Sequence, residues 1–485
     1  MRARLAKRLA AAAGLWALGC GGAKAPLPSA QVPPGPHPNI LFIVVDDLST
    51  TLPIYGHPEV KAPGIEELAR RGTVFERAYC QYPICNPSRT SFLSGRRPES
   101  TGVFVNRTRP DVRLAPALFL PNELHRLGYY TLRAGKIFHG SGAESLGQWD
   151  RNAPITFAVP PPGEKIDPAS RQSRGDHEEG DEEGLGLLTK IRIVPDAEAE
   201  PLRDRRISQH TVRELKKVAR QGGRFFFALG FARPHLPFEA PARFFALYPP
   251  ESIQLAEQPP AGAPPVPAAA LKGRAFVPAM SEAAQRKAKA AYYASLSFMD
   301  GELLPLWQAL DQLDLWKSTI VVLTSDHGFQ LGEHGLWGKL SLYEETLRVP
   351  LIIVAPGLPG GQRSVQPVEL VDLYPTLFEL AGLPPPPGLE GRSLAPLLRN
   401  PQAPWEFPAV SVMRGSSARK DLALSIATER YRYTEWGGPE EAELYDLRAD
   451  PLELKNLAAD PALGAEKQRL SRQVAAARER FERAQ

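Results

Sequence analysis

The sequence predicts an α/β protein built on a large mixed or mostly parallel sheet sandwiched by helices, with a small antiparallel sheet and one helix closing the chain. Three observations carry this. Short, fully apolar, β-branched runs recur, as expected of strands buried on both faces. Helical patterns separate those runs up to about residue 400. Beyond that point strand-like segments follow one another directly, with glycines between them.

Ile40 to Val45 (ILFIVV) is the first apolar run. Ala62-Pro63 then opens a helix through Arg71, with Pro at its start and Gly72 at its end. Tyr130 to Ala134, Phe225 to Gly230, Thr319 to Thr324 and Val349 to Val354 read as further strands. Glu282 to Leu310 and Val371 to Leu380 read as helical. Near the end, Ala409 to Met413, Leu424 to Thr428, Tyr431 to Tyr433 and Ala442 to Leu447 read as strands, the last two joined through Gly437-Gly438, and Leu463 to Arg483 as a charged helix. Residues 172 to 184 (QSRGDHEEGDEEG) are acidic and Gly-interrupted, which suits a solvated loop or a substrate-facing insertion.

The N-terminus reads as an export signal. Arg2, Arg4, Lys7 and Arg8 precede an apolar run, Leu9 to Leu18, too short to span a bilayer. It ends at Gly19-Cys20, which suits either a bacterial lipoprotein site, with Cys20 lipidated, or a plain secretory signal. The expected organisation is a signal over 1–19, a tether over 20–38, a main domain over 39–400 and a C-terminal subdomain over 401–485. The expected location is the bacterial periplasm, or the outer membrane or cell surface as a lipoprotein. Cleavage removes four basic residues and no acidic ones, which brings the 58 basic residues to 54, equal to the 54 acidic. A net charge of zero gives no basis for nucleic-acid binding. Of three cysteines, Cys80 and Cys85 remain after Cys20; they are free thiols or a disulfide pair, and no disulfide framework is expected.

Polar residues cluster just after the predicted strands. Asp46 and Asp47 follow the first, Lys136 and His139 the one ending at Ala134, His235 the one ending at Gly230, and Asp326 and His327 the one ending at Thr324. Ligands of open α/β sheets gather at the carboxyl ends of strands, so one rim collects carboxylates, imidazoles and an ammonium. Adjacent carboxylates repel one another unless a cation lies between them, and oxygen donors suit calcium or magnesium; otherwise Asp46-Asp47 is a capping turn. A lone lysine is ordinarily a solvated charge, but Lys136 and Lys339 each stand beside a glycine in a loop after a strand.

The stretch Cys85-Asn86-Pro87-Ser88-Arg89, with Leu93-Ser94-Gly95-Arg96 after it, resembles the signature of the type I sulfatases. Further segments are similar to that family: Asn39 to Leu48, Gly135 to His139, Arg233 to Phe238, Ala294 to Asp300, Ser325 to Lys339, and Leu444-Tyr445-Asp446-Leu447 in the last part. Two residues between Lys136 and His139, and histidine at 327, resemble the iduronate-2-sulfatase branch. The resemblance implies an alkaline-phosphatase-like fold. It implies conversion of Cys85 to formylglycine by a formylglycine-generating enzyme, and one divalent ion, calcium, held by Asp46, Asp47, residue 85, Asp326 and His327. Imidazole is a less natural calcium ligand than oxygen, so His327 either ligates through one nitrogen or orients Asp326 from behind it.

The implied reaction is hydrolysis of a sulfate ester on a sulfated small molecule or glycan. Arg89 holds the aldehyde hydrate, and Lys136 and Lys339 meet the sulfate oxygens. His235, or Lys339, assists the leaving alcohol, and His139 assists sulfate release. The alternatives are a phosphodiesterase or phosphonate monoester hydrolase of the same superfamily, and a non-catalytic glycan-binding lipoprotein, which the complete ligand set disfavours.

Overall fold

The computed structural model describes residues 37–140, 146–153, 155, 190–271, 280–414 and 422–484. The signal, most of the tether, Cys20 and the acidic stretch at 172–184 lie outside the described residues. No helix among the described residues is long and apolar enough to cross a membrane.

In chain order the strands are β1 (Asn39–Val45), β2 (Thr73–Tyr79), β3 (Tyr130–Gly135), β4 (Arg151–Ala153), β5 (Ile191–Val194), β6 (Phe225–Phe231), β7 (Phe238–Pro241) and β8 (Thr319–Ser325). Then come β9 (Gln330–Leu331), β10 (Trp337–Gly338), β11 (Arg348–Val354), β12 (Gln362–Glu369), β13 (Ala409–Arg414), β14 (Leu422–Ala427), β15 (Tyr431–Glu435) and β16 (Ala442–Asp446). The main sheet runs β12-β2-β11-β8-β1-β6-β3-β4. The central strand β1 is buried throughout, with parallel β6 and β8 on its two sides. Its side chains alternate between two cores: Ile40, Phe42 and Val44 enter one, Leu41, Ile43 and Val45 the other. Apolar character at every position of this run therefore follows from burial on both faces.

The sheet is mixed rather than wholly parallel. β11 runs antiparallel to both β2 and β8. The predicted helical stretch from Glu282 is two helices, Glu282–Gly301 and Leu304–Gln312. In the C-terminal part, β13 to β16 form an antiparallel meander in sequence order, covered by the helix Gly464–Ala484.

The meander shares one apolar core with the main sheet. Arg432 of β15 is one buried polar link between them. Its guanidinium lies 2.9 Å from Glu344 and 2.5 Å from Glu453, all three buried. Burial opposes its charge, but Glu453 and Glu344 more than offset this and hold the arginine protonated. Removing one partner of a buried ion pair strands the other. Arg432→Met should therefore destabilise the protein by about 3–5 kcal/mol, read as a lower urea midpoint, although the substitution is apolar and close in size.

Candidate active site

Strand register places the site. Val45 pairs with Phe231 on one side and Ser325 on the other, and Gly135 pairs with Gly230. The chain therefore leaves β1, β3, β6 and β8 at one edge. The approach of β3 to β6 there requires glycine at both positions. A Cβ on Gly135 would lie 2.2 Å from Gly230 O, and one on Gly230 would lie 1.8 Å from Lys136 O.

Asp46 and Asp47 leave β1 in a tight turn, with Asp47 in the left-handed region at φ 62°. The Asp47 N–H donates to Asp326 Oδ1 at 3.3 Å, and the His327 N–H donates to the same oxygen at 3.1 Å. Ser325 joins the two turns. Its Oγ accepts from the Leu48 N–H at 2.9 Å, and lies 2.9 Å from Val45 O and 2.7 Å from His327 O.

Cys85 opens a ten-residue helix, Cys85–Ser94, in which every residue is buried. Pro87 falls in the first turn, where its missing N–H has no helical partner to lose. The helix start faces Asp46 and Asp47, and the partial positive charge there favours an anion at residue 85. Ser88 Oγ donates to Asp326 O. One turn on, Arg89 donates from Nε to Asp326 at 2.7 Å, from Nη2 to Asp46 at 3.1 Å, and from Nη1 to the carbonyls of Lys136 and Ile137 at 2.6 and 3.2 Å.

The other cations arrive from separate loops. Lys136 Nζ lies 2.7 Å from Asp46 Oδ2. Lys339, just after β10, lies 3.1 Å from Asp47 Oδ1 and 3.6 Å from Cys85 Sγ. His235 Nε2 is 4.0 Å from Asp47 Oδ2, with its side chain 22% exposed. His139 is partly buried in the Lys136 loop. Burial alone would raise the Asp46 carboxyl, but Lys136, His235, Arg89 and Lys339 outweigh it and hold the group well below its usual range. Burial likewise works against the Lys136 ammonium, and Asp46 more than offsets it, so this pKa is raised. Burial pushes the Cys85 thiol well above its usual value despite Lys136 and Lys339.

Three buried carboxylates, Asp46, Asp47 and Asp326, offer the oxygen donors that a divalent cation takes, with Cys85 and His327 beside them. Donor atoms of Asp47, Cys85 and His327 lie within 4.8 Å of one another, and so do those of Asp46, Cys85 and Asp326. His327 Nδ1 faces Gly328 O at 3.0 Å. A carbonyl can only accept, so Nδ1 carries a proton, and Nε2 lies toward Cys85 Sγ at 3.2 Å and Asp47 Oδ1 at 3.5 Å. That is the orientation a metal-binding imidazole needs.

Cys80 and Cys85 are both free and buried, so the alternative of a disulfide between them is not adopted. His334, a neighbour of Lys339 in sequence, stacks on Tyr343 at 4.0 Å; burial lowers its pKa to about 4, as suits a neutral packing residue. Ser88 and Ser325 stand within the motifs quoted above, but sequence reasoning gave them no role. Both hydroxyls meet backbone carbonyls, and nothing in the sequence signals that.

Residues 38–383 match the family described as Sulfatase, and residues 332–480 match the C-terminal region described as N-sulphoglucosamine sulphohydrolase. The chain is 33% identical over 508 residues to human iduronate 2-sulfatase, covering 87% of this chain and 91% of that protein. In fold it is similar to the phosphonate monoester hydrolase of Agrobacterium radiobacter, with TM-score 0.72, 24% identity, and 92% and 96% of the two chains covered. It is equally similar to BT4656, solved with its substrate D-glucosamine-2-N,6-O-disulfate, at TM-score 0.72, 20% identity, and 92% and 98% coverage. The fold is thus alkaline-phosphatase-like, with the mixed sheet and small C-terminal sheet described above.

Ser325→Ala removes the hydroxyl between the two carboxylate-bearing turns and leaves buried backbone groups without it. The expected loss is about 1–3 kcal/mol of stability, measured by urea denaturation.

Proposed function

The chain belongs to the sulfatase family and is a sulfuric ester hydrolase, and from that premise we propose that residue 85, oxidised to formylglycine, is its nucleophile. The observation that carries this is the setting of the Cys85 side chain. It lies 3.2 Å from His327, and 3.6 Å from both Asp46 and Lys339, at a helix start.

The proposed substrate is a sulfated carbohydrate, with a 2-sulfated uronate the first to try, as the likeness to iduronate 2-sulfatase suggests. Maturation calls for a formylglycine-generating enzyme. The basic, apolar start of the chain supports export, with Cys20 as a lipid anchor, and the division at about residue 400 separates the catalytic part from the subdomain.

Each residue then has a task. Asp46, Asp47, Asp326 and His327, with the oxygen of residue 85, would hold one calcium ion. When bound, it would supply positive charge that lowers the proton affinity of the residue 85 oxygen and offsets the charge of the sulfate. The formylglycine hydrate supplies two oxygens on one carbon, one to attack sulfur and one whose deprotonation lets sulfate leave. Arg89, fixed by four acceptors, holds the hydrate and the helix that bears it. Lys136 and Lys339 draw charge from the sulfate oxygens as they become more negative. His139 takes the proton at the release step.

His235 protonates the departing alcohol. Its Nδ1 lies 2.7 Å from Leu236 O and donates to it, so Nε2 is the atom left to face the site. That nitrogen must be protonated to act as an acid, and Asp47 stabilises the imidazolium.

Mass spectrometry of the peptide spanning residue 85, in protein from its native host, should show the aldehyde or its hydrate; a plain thiol in fully active enzyme overturns the reading. The enzyme should turn over an aryl sulfate faster than an aryl phosphodiester, and Cys85→Ser should end multiple turnover with the fold intact. His235→Ala should slow an alkyl or sugar sulfate by about 10²–10⁴-fold, and an aryl sulfate far less, because a good leaving group needs little protonation.

A further inference from the structure

We propose that Tyr292 is a positioning residue for the cation site, acting through Asp47 and holding three site loops in register. This rests on the assignment of Asp47 as a metal ligand made above.

Tyr292 lies on the helix Glu282–Gly301 and is fully buried. Its hydroxyl donates to the Asp47 carbonyl at 2.7 Å and accepts from the Ser49 N–H at 2.9 Å, with Ser49 Oγ at 3.1 Å. It thus brackets the turn on which Asp47 stands. That turn is the improbable part of the site, because Asp47 is a non-glycine residue at φ 62°. Left-handed backbone at a residue with a Cβ persists only when its surroundings fix it. On the carbonyl side the tyrosine hydroxyl does so, and on the amide side Asp326 does. Between them they set where the Asp47 carboxylate points.

The ring reaches the other loops. It stacks on Phe329, with centroids 5.5 Å apart and planes at 22°, two residues after His327. It meets Phe238 edge-on at 5.8 Å, three residues after His235. One side chain from a helix outside the rim therefore touches the segments bearing Asp47, His327 and His235. The hydroxyl and the ring do separable work, the first aiming Asp47 and the second spacing the two histidine loops.

A merely structural tyrosine would, when altered, lower stability equally with and without calcium. A positioning residue makes calcium itself bind less well, so the rise in Tm on adding calcium shrinks. The test uses the full chain, with calcium chloride as the probe, isothermal titration for affinity and thermal unfolding of the calcium-free and calcium-loaded forms. Tyr292→Phe keeps both ring contacts and loses the hydroxyl. Its calcium affinity should fall about tenfold, with a correspondingly smaller calcium-induced rise in Tm. Phe329→Leu loosens the stack and keeps the hydroxyl, so it provides a second reading should Tyr292→Phe fold poorly. It should weaken calcium by a smaller factor, with the Asp47 bracket still in place.

Wild-type calcium affinity in a folded Tyr292→Phe protein overturns the proposal. If that variant does not fold, wild-type affinity in Phe329→Leu overturns it. The outcome is separable from the catalytic reading. Failure of wild-type protein to bind calcium at all overturns the ligand assignment, whereas unchanged binding in the variant overturns only the role of Tyr292.

Discussion

Arg89 is the charge around which the site is assembled. Asp46, Asp47 and Asp326 are each almost wholly buried, and an isolated buried carboxylate either takes up a proton or opens the fold. The Arg89 guanidinium answers two of them with separate nitrogens and turns its third nitrogen to the carbonyls of Lys136 and Ile137. A planar fork can do this, and a lysine in its place cannot. The same four contacts tie the helix bearing residue 85 to the loops after β1, β3 and β8. Neutralisation of the carboxylates and placement of residue 85, the proposed nucleophile, thus rest on one side chain.

This explains how much the sequence disclosed. The order of strands and polar residues was legible because each run that enters both cores must be apolar at every position, as β1 is, and the chemistry stands just past its end. The pairing direction of β11 was not legible. A run such as VPLIIV is equally apolar whether it lies parallel or antiparallel to its neighbours. β12 escaped notice because Pro367 and the exposed Arg363 and Val365 give it the mixed look of a sheet edge, which it is.

Within the site, the charged and reactive residues stood out by position, while their supports did not. Ser325 and Ser88 work through backbone carbonyls, and Tyr292 does so from a helix more than 240 residues from the turn it holds. Such contacts depend on three-dimensional closure and leave no local pattern. The resemblance among sulfatase motifs pointed to the residues proposed to react, and only the folded chain shows what holds them.

The charge balance of the cavity bears on the chemistry it suits. Three carboxylates face Arg89, Lys136 and Lys339, so the protein's own charges there sum to zero before any ion binds. A divalent cation brings the cavity to two positive charges. A sulfate monoester brings one negative charge and the proposed ionised hydrate on residue 85 a second, so the loaded site is neutral apart from the proton proposed for His235. Monoanionic phosphodiesters and phosphonate monoesters match the count as well as sulfate esters do. The shared fold with a phosphonate monoester hydrolase is therefore electrostatically consistent with sulfate chemistry, and discrimination between sulfur and phosphorus falls to the shape of the pocket and the demands of the leaving group rather than to net charge.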